Sequence, residues 1–228
     1  MATVTHADST SSTANASTYA SNSFTPALDD LLVAFVGART TVAAGTMTSS
    51  VAGQTFSKVN SKVLASGAHT LYCFVSDRGA TATAQTLTFD CTGDAATAGA
   101  IHVCRVASIG LYGLAAVRQS AGQDNQAAAG TPAPAFAVAC LTDNVVLGAI
   151  HNASNPAGMT PPGGTFAENA DTGNAENLGL EYVESEGGFT GTTVTWGSAS
   201  ATNFASLIVE INVSRLARQR VYPQILPH

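Results

Sequence analysis

Residues 86–106 read TLTFDCTGDAATAGAIHVCRV, and residues 193–213 read TVTWGSASATNFASLIVEINV. The two blocks have equal length and align without a gap. Thr86/Thr193, Leu87/Val194, Thr88/Thr195 and Phe89/Trp196 correspond. Further on, Ile101/Leu207, Val103/Val209 and Val106/Val213 follow after a one-residue slip. Each block reads as a T-x-T-aromatic strand, a loop and an apolar strand. A second pair precedes them: LDDLLVAFVGA at 28–38 and LTDNVVLGAIHN at 141–152. A Thr-Pro stands before each, Thr25-Pro26 directly and Thr131-Pro132 at a longer distance. Two halves, about 20–107 and 133–213, therefore share an order of elements. Two copies are too few for a solenoid, which normally needs three or more units to close a core. They suit one sandwich whose matching strands face or flank one another.

The segments around these blocks have the same character. Residues 31–36 (LLVAFV), 70–75 (TLYCFV), 85–91 (QTLTFDC) and 100–106 (AIHVCRV) are short, rich in Val, Thr, Phe and Tyr, and bounded by Gly, Ser, Asn and Pro. In the second half 144–150 (NVVLGAI), 178–183 (LGLEYV), 192–196 (TTVTW) and 206–213 (SLIVEINV) match them. That is the strand signature. In QTLTFDC, Leu87, Phe89 and Cys91 alternate with Thr86, Thr88 and Asp90, so apolar residues share one face. LLVAFV is apolar on both faces, as a central strand covered on both sides must be. No long segment repeats at 3.6 residues with caps. The expected fold is all-β: an antiparallel β-sandwich, jelly-roll-like, with a pseudo-twofold internal repeat. Residues 19–213 are read as that one domain, 1–18 as an extended N-terminal arm and 214–228 as an extended tail.

Composition narrows the function. Of 228 residues, 45% are hydrophobic and only 11% charged, against roughly 25% charged in an average soluble protein. A surface so poor in charge suits a protein packed into an assembly or living outside the cell. The net charge is −6 with 9 Lys and Arg in all, which excludes a counterion-displacing nucleic-acid surface. The N-terminus MATVTHADSTSS lacks the basic and apolar regions of a Sec-type signal. No apolar run nears the ~20 residues of a membrane span, so the expected partners include neither nucleic acid nor membrane.

Catalytic patterns are not found in the sequence. There is no G-x-S-x-G elbow and no S-x-x-K. His6, His69, His102, His151 and His228 are scattered, with no H-E-x-x-H or H-x-H pair. Glu181, Glu184 and Glu210 are candidate paired carboxylates for glycoside hydrolysis, yet read as solvent-facing strand residues. Asp171, Asn174 and Glu176 supply oxygen ligands without calcium-loop spacing. Cys73, Cys91, Cys104 and Cys140 read as small buried thiols, with Cys73–Cys91 or Cys104–Cys140 disulfides open by parity alone. Sequons at Asn15, Asn152 and Asn212 are what chance gives in an Asn/Ser/Thr-rich chain. The expectation is a protein without catalytic residues, metal or cofactor.

Three segments look irregular: the low-complexity stretch 8–17, the connection 119–134 and the Pro/Gly/Asn-rich stretch 152–177. The tail, SRLARQRVYPQILPH, carries Arg215, Arg218 and Arg220 ahead of Tyr222, Pro223 and Leu226. Prolines there exclude a helix or central strand, and an apolar tail with a basic root reads as an assembly interface. A different set, Tyr112, Tyr182, Phe189 and Trp196, offers rings for stacking a glycan, although Trp196 matches Phe89 in the repeat and so reads first as core.

The pattern S-x-S-F-T-P followed by D-x-L-L-V-A over 21–34, then T-V-T-W and I-V-E-I over 193–211, resembles sandwich proteins among the structural genes of tailed bacteriophages. The resemblance spans about 21–213. It implies a non-enzymatic virion protein made in the host cytoplasm, a head decoration (cement) protein or tail component. Its implied partners are the major capsid protein and further copies of itself in a homo-oligomer. The alternative is a carbohydrate-binding or adhesin module of a tail fibre.

Overall fold

A computed structural model describes residues 2–40, 44–64, 69–91, 96–107, 109–124, 131–152, 160–174, 178–197 and 204–213. The described chain is all-β, with antiparallel sheets packed against one another. Its strands are β1 (Val4–Ser12), β2 (Thr18–Ala20), β3 (Leu31–Ala38), β4 (Thr46–Ser49), β5 (Phe56–Val63), β6 (Thr70–Ser76), β7 (Leu87–Asp90) and β8 (Gly99–Val106). After a 3-10 turn at Gly113–Ala116 come β9 (Val117–Asp124), β10 (Val145–Asn152), β11 (Ala167–Asn174), β12 (Leu178–Ser185) and β13 (Phe204–Ile211). Among the described residues no helix is long and apolar enough to cross a membrane.

One sheet has the order β1-β8-β3-β6-β5 and another β11-β12-β10-β13-β9. Read from the opposite edge, the second is β9-β13-β10-β12-β11. The chain therefore threads both sheets alike: its first strand goes to one edge, its second to the centre, its third to the far edge, and the last two fill the gaps. Each half of the chain supplies one whole five-stranded sheet.

This threading dictates a further layer. β1 and β3 run the same way with β8 between them, so no hairpin joins them and the chain must cross a face of the sheet. The same holds from β3 to β5 and from β6 to β8. Each crossing lays down one strand, and the three strands pair as the small sheet β2-β7-β4. Over the second sheet the described parts of the crossings are extended segments outside the named strands. Phe136 N–H donates to Thr192 O at 2.8 Å, Val194 N–H to Pro134 O at 3.1 Å and Trp196 N–H to Pro132 O at 2.9 Å. Gly197 N–H then donates to Thr160 O at 2.8 Å. The stretch 192–196 expected as a strand is thus an extended segment bonded to its neighbour in this outer layer.

Three apolar layers follow from four stacked ones. The inner layer joins the two large sheets through Leu31, Val33, Phe35, Cys104, Leu147, Tyr182, Val209 and their neighbours. A second lies between the first large sheet and the small one, around Tyr19, Tyr72, Phe74 and Phe89. The third lies under the crossings of the second half, around Phe136, Val146, Trp196 and Ile208. The large aromatic rings, each worth roughly 1.5–3 kcal/mol when fully buried, sit mainly in the outer two layers. Gly99 and Gly148 make room for them: a Cβ on Gly99 would meet the Tyr19 ring at 2.6 Å, and one on Gly148 the Trp196 ring at 3.1 Å.

Four expectations need correction. The N-terminal arm is no arm: Val4–Ser12 pairs with β8 along its length, because Thr and Ser fit a half-exposed edge strand as well as a loop. The connection 119–134 begins inside β9, and 152–177 contains β11. The halves accordingly start at Val4 and Val117. Finally, the pairing of Ile101 with Leu207 and Val103 with Val209 is off by one. Leu31 lies opposite Val106 in one sheet and Val145 opposite Ile211 in the other. Val106 therefore matches Ile211, Cys104 matches Val209, and all four face the inner layer. Val103 and Ile101 face the outer one. A shift of one residue in a strand exchanges its faces.

Candidate functional site

The side chains able to do chemistry gather at four places. The first is Glu210 on β13, fully buried. Its Oε2 accepts from Arg118 Nη1 and Gln119 Nε2, both at 2.6 Å, and its Oε1 from Leu141 N–H at 2.9 Å and Asn144 Nδ2 at 2.7 Å. Burial alone would raise this carboxyl, but the four donors outweigh it and hold the group below its ordinary value. The nearby Cys140 thiol is pushed up to about 12, by burial first and then by the Glu210 charge. A carboxylate with its lone pairs so occupied has no capacity left to take a substrate proton. It ties β9, β13 and the turn before β10 together. The matching position in the first half is Arg105, paired with Asp30 at 3.5 Å.

The second place is the edge where β1 and β8 meet β12. His102 Nε2 lies 2.8 Å from Leu180 O, and a carbonyl only accepts, so that nitrogen carries the proton. Nδ1 is left to accept from Ser9 Oγ at 2.5 Å, and Ser9 Oγ accepts from His6 Nε2 at 2.7 Å. A serine hydroxyl on an oriented imidazole is the geometry of nucleophilic catalysis. Here, however, the imidazole is buried and the orienting group is an uncharged carbonyl. Burial drives the pKa of His102 down to about 4, which makes it a poor base at neutral pH. The chain His6–Ser9–His102–Leu180 acts as a strut between the two large sheets.

A third place repeats that device close by, since His151 lies opposite Leu180 in the ladder of the second sheet. His151 Nε2 and His69 Nδ1 are 2.9 Å apart, with ring centroids at 4.9 Å. Burial and then the charge of Arg39 push His69 down to about 4. One ring accepts and is neutral there, and the hydrogen bond between the two joins the large sheets. The four cysteines are buried free thiols. Cys73 lies in the inner layer and Cys91 in an outer one, while Cys104 and Cys140 are likewise in different layers. Neither disulfide left open by parity is formed.

The residues singled out from sequence are dispersed. Tyr182 is fully buried in the inner layer, its hydroxyl donating to Glu184 Oε2 at 2.8 Å. Trp196 is fully buried in the third layer. Neither presents a ring to solvent, as the match of Trp196 to Phe89 foretold. Phe189 is half-buried against Phe166, with centroids 5.1 Å apart, and Tyr112 is half-buried with its hydroxyl donating to Asp29 O at 3.2 Å. These four rings form no platform. Glu184 and Glu210, expected on the solvent face, are both buried; of Glu181 only the backbone is described. Asp171 is exposed, its carboxyl raised to about 6 by partial burial and by Glu168. Among the described residues no group of three or more His, Cys, Asp or Glu is placed to hold a metal ion; Glu176 is outside them, as are Arg215, Arg218, Arg220, Tyr222, Pro223 and Leu226.

The fourth place is a surface. Leu28, Leu114, Val138 and Leu141 are each more than half exposed. Leu28 and Leu141 precede the two central strands β3 and β10. Leu114 sits on the turn before β9, and Val138 is bonded to Gln119 near the start of β9. All four therefore lie at one end of the sandwich. Sequence reading missed this end because no single leucine in a turn is informative; only the threading brings them to the same side.

No protein-family model, curated protein or solved structure matches the chain.

Proposed function

We propose that this chain is a non-enzymatic structural protein of an assembled particle, and within that class a bacteriophage head decoration (cement) protein. What carries the reading is the use of its chemical groups. The buried carboxylate of Glu210 ties strands of one sheet, the histidines His69, His102 and His151 join the two large sheets, and the four thiols are buried. A shell component must resist distortion, and hydrogen-bonded struts joining two large sheets give that resistance. The low charge of the surface fits permanent contact with neighbours.

On this reading the partners are the major capsid protein and other copies of the chain, and the location is the virion. The contact is made by the C-terminal segment through Arg215, Arg218, Arg220, Tyr222, Pro223 and Leu226, with ion pairs at its root and apolar burial beyond. At ~25 cal/mol per Å² of apolar surface, several such side chains supply several kcal/mol per copy, multiplied over a shell. The glycan-binding alternative loses two of its four rings, Tyr182 and Trp196, to the interior.

The test is co-sedimentation of the purified chain with particles lacking it, alongside a mass-spectrometric inventory of native particles. Deletion of residues 214–228 is expected to abolish coating and leave the unfolding transition unchanged. Full coating by the truncated chain would sink the tail mechanism, and absence of the chain from native particles would sink the assembly reading.

A further inference from the structure

We infer that the end of the sandwich bearing Leu28, Leu114, Val138 and Leu141 is the socket for residues 214–228 of a second copy of this chain. The inference rests on the assembly reading above and gives its contact an address.

Exposure is the first ground. Four large aliphatic side chains more than half exposed at one end of a molecule form the kind of patch that marks a protein contact. The second ground is charge. Asp29, Asp77, Asp143 and Glu186 are exposed at this same end, each in a turn that precedes or follows a strand there. Among the described residues Arg78 is an exposed cation at this end and Lys58 lies two residues into β5, while Arg105 and Arg118 are paired with Asp30 and Glu210. An apolar end rimmed by carboxylates complements a segment with three arginines, no acid, and Leu216, Val221, Tyr222, Ile225 and Leu226. Depletion of charge at the centre with charge at the rim is how such contacts are built.

The third ground is where the chain leaves. Asn212 N–H donates to Ala116 O at 2.8 Å, and Val213 N–H to Asn144 Oδ1 at 3.1 Å. The C-terminal segment thus departs from between Leu114 and Leu141. At ~3.3 Å per residue its fifteen residues reach about 50 Å. Its apolar residues from Val221 onward come past the first half of that reach. A second copy offers the same leucines and carboxylates, and a head-to-tail contact of this kind closes into a ring or propagates over a shell.

The experiment uses the full chain. Sedimentation equilibrium is expected to show self-association that weakens with salt, as the arginine–carboxylate part is screened. Leu114→Asp with Leu141→Asp, at exposed positions, is expected to weaken it at least tenfold while leaving the far-ultraviolet circular dichroism unchanged. Two singly substituted chains, Leu114→Cys and Ile225→Cys, are then mixed and oxidised. A disulfide-linked species of twice the chain mass, absent when either is oxidised with wild type, supports the socket. A monomeric wild type, association indifferent to the two aspartates, or a cross-link obtained only when both cysteines are on one chain overturns it. A chain that coats particles yet fails these tests sinks the socket alone; one that passes them but is absent from particles sinks the assembly reading instead.

Discussion

The two halves of the molecule are threaded identically and wired differently. In the first, the crossings over the outer face form a regular three-stranded sheet, and the end of β8 is fixed by Arg105 with Asp30. In the second, the described parts of the crossings are extended segments bonded to one another, and the end of β13 is fixed by a buried glutamate with four donors. Connectivity forces a chain to return across each sheet, so an outer layer appears in both halves. It does not prescribe which polar group closes the strand ends.

The comparison is most directly broken at the aromatic anchors. Phe89→Ala and Trp196→Ala should each cost about 3–5 kcal/mol by urea unfolding, since each ring covers the outer face of its own sheet. If one of them costs less than about 1 kcal/mol, the two outer layers are not equivalent. Next come the strand-end charges. Glu210→Gln should cost about 2–3 kcal/mol, because donors arranged for a carboxylate are left facing an amide. Arg105→Leu should cost about 1 kcal/mol, its side chain being a quarter exposed at 23%. Equal costs would remove the distinction between the halves.

Acid tests the struts between them. His69 and His102 are held at about 4, below the ordinary 6.5, so between these values the unfolded chain binds more protons. Their contribution is complete above pH 6.5 and is lost as pH falls toward 4. Glu210, also held low, adds a further loss at more acid pH. Asp171, raised to about 6, acts oppositely, its contribution being present below 3.8 and lost as pH rises through 6. The net expectation is a melting temperature that drops as pH is lowered from 6.5 to 4, with His102→Gln flattening the drop. An unchanged profile in that variant would show that His102 is not a strut. The smallest effects belong to the exposed end: Leu28→Ser or Leu141→Ser should shift stability by no more than about 0.5 kcal/mol, and a larger loss would mean that these leucines are packed.

The strands legible in the sequence were those with a neighbour on each side: β3, β6, β7, β8, β10, β12 and β13. Those that escaped, β1, β2, β4, β5, β9 and β11, are the outermost strands of their sheets. Hydrophobic alternation records burial, and an edge strand such as VTHADSTSS or VRQSAGQD is too wet to display it. The repeat was legible in T-x-T-aromatic and LLVAFV, yet its register was not, because Val103, Cys104 and Val209 are similar residues and only ladder pairing tells which faces inward. Glu210 escaped for a related reason. A carboxylate flanked by Val209 and Ile211 looks like the polar position of an alternating strand, and its donors come from residues 66 to 92 positions away.

Each large sheet is built from one continuous half of the chain, and the two meet across a shared apolar seam. The short connector between Val106 and Val117 joins the two sheets as a linker would join the two protomers of a dimer. A single ancestral unit of about half the present length, pairing with itself, would have the same seam.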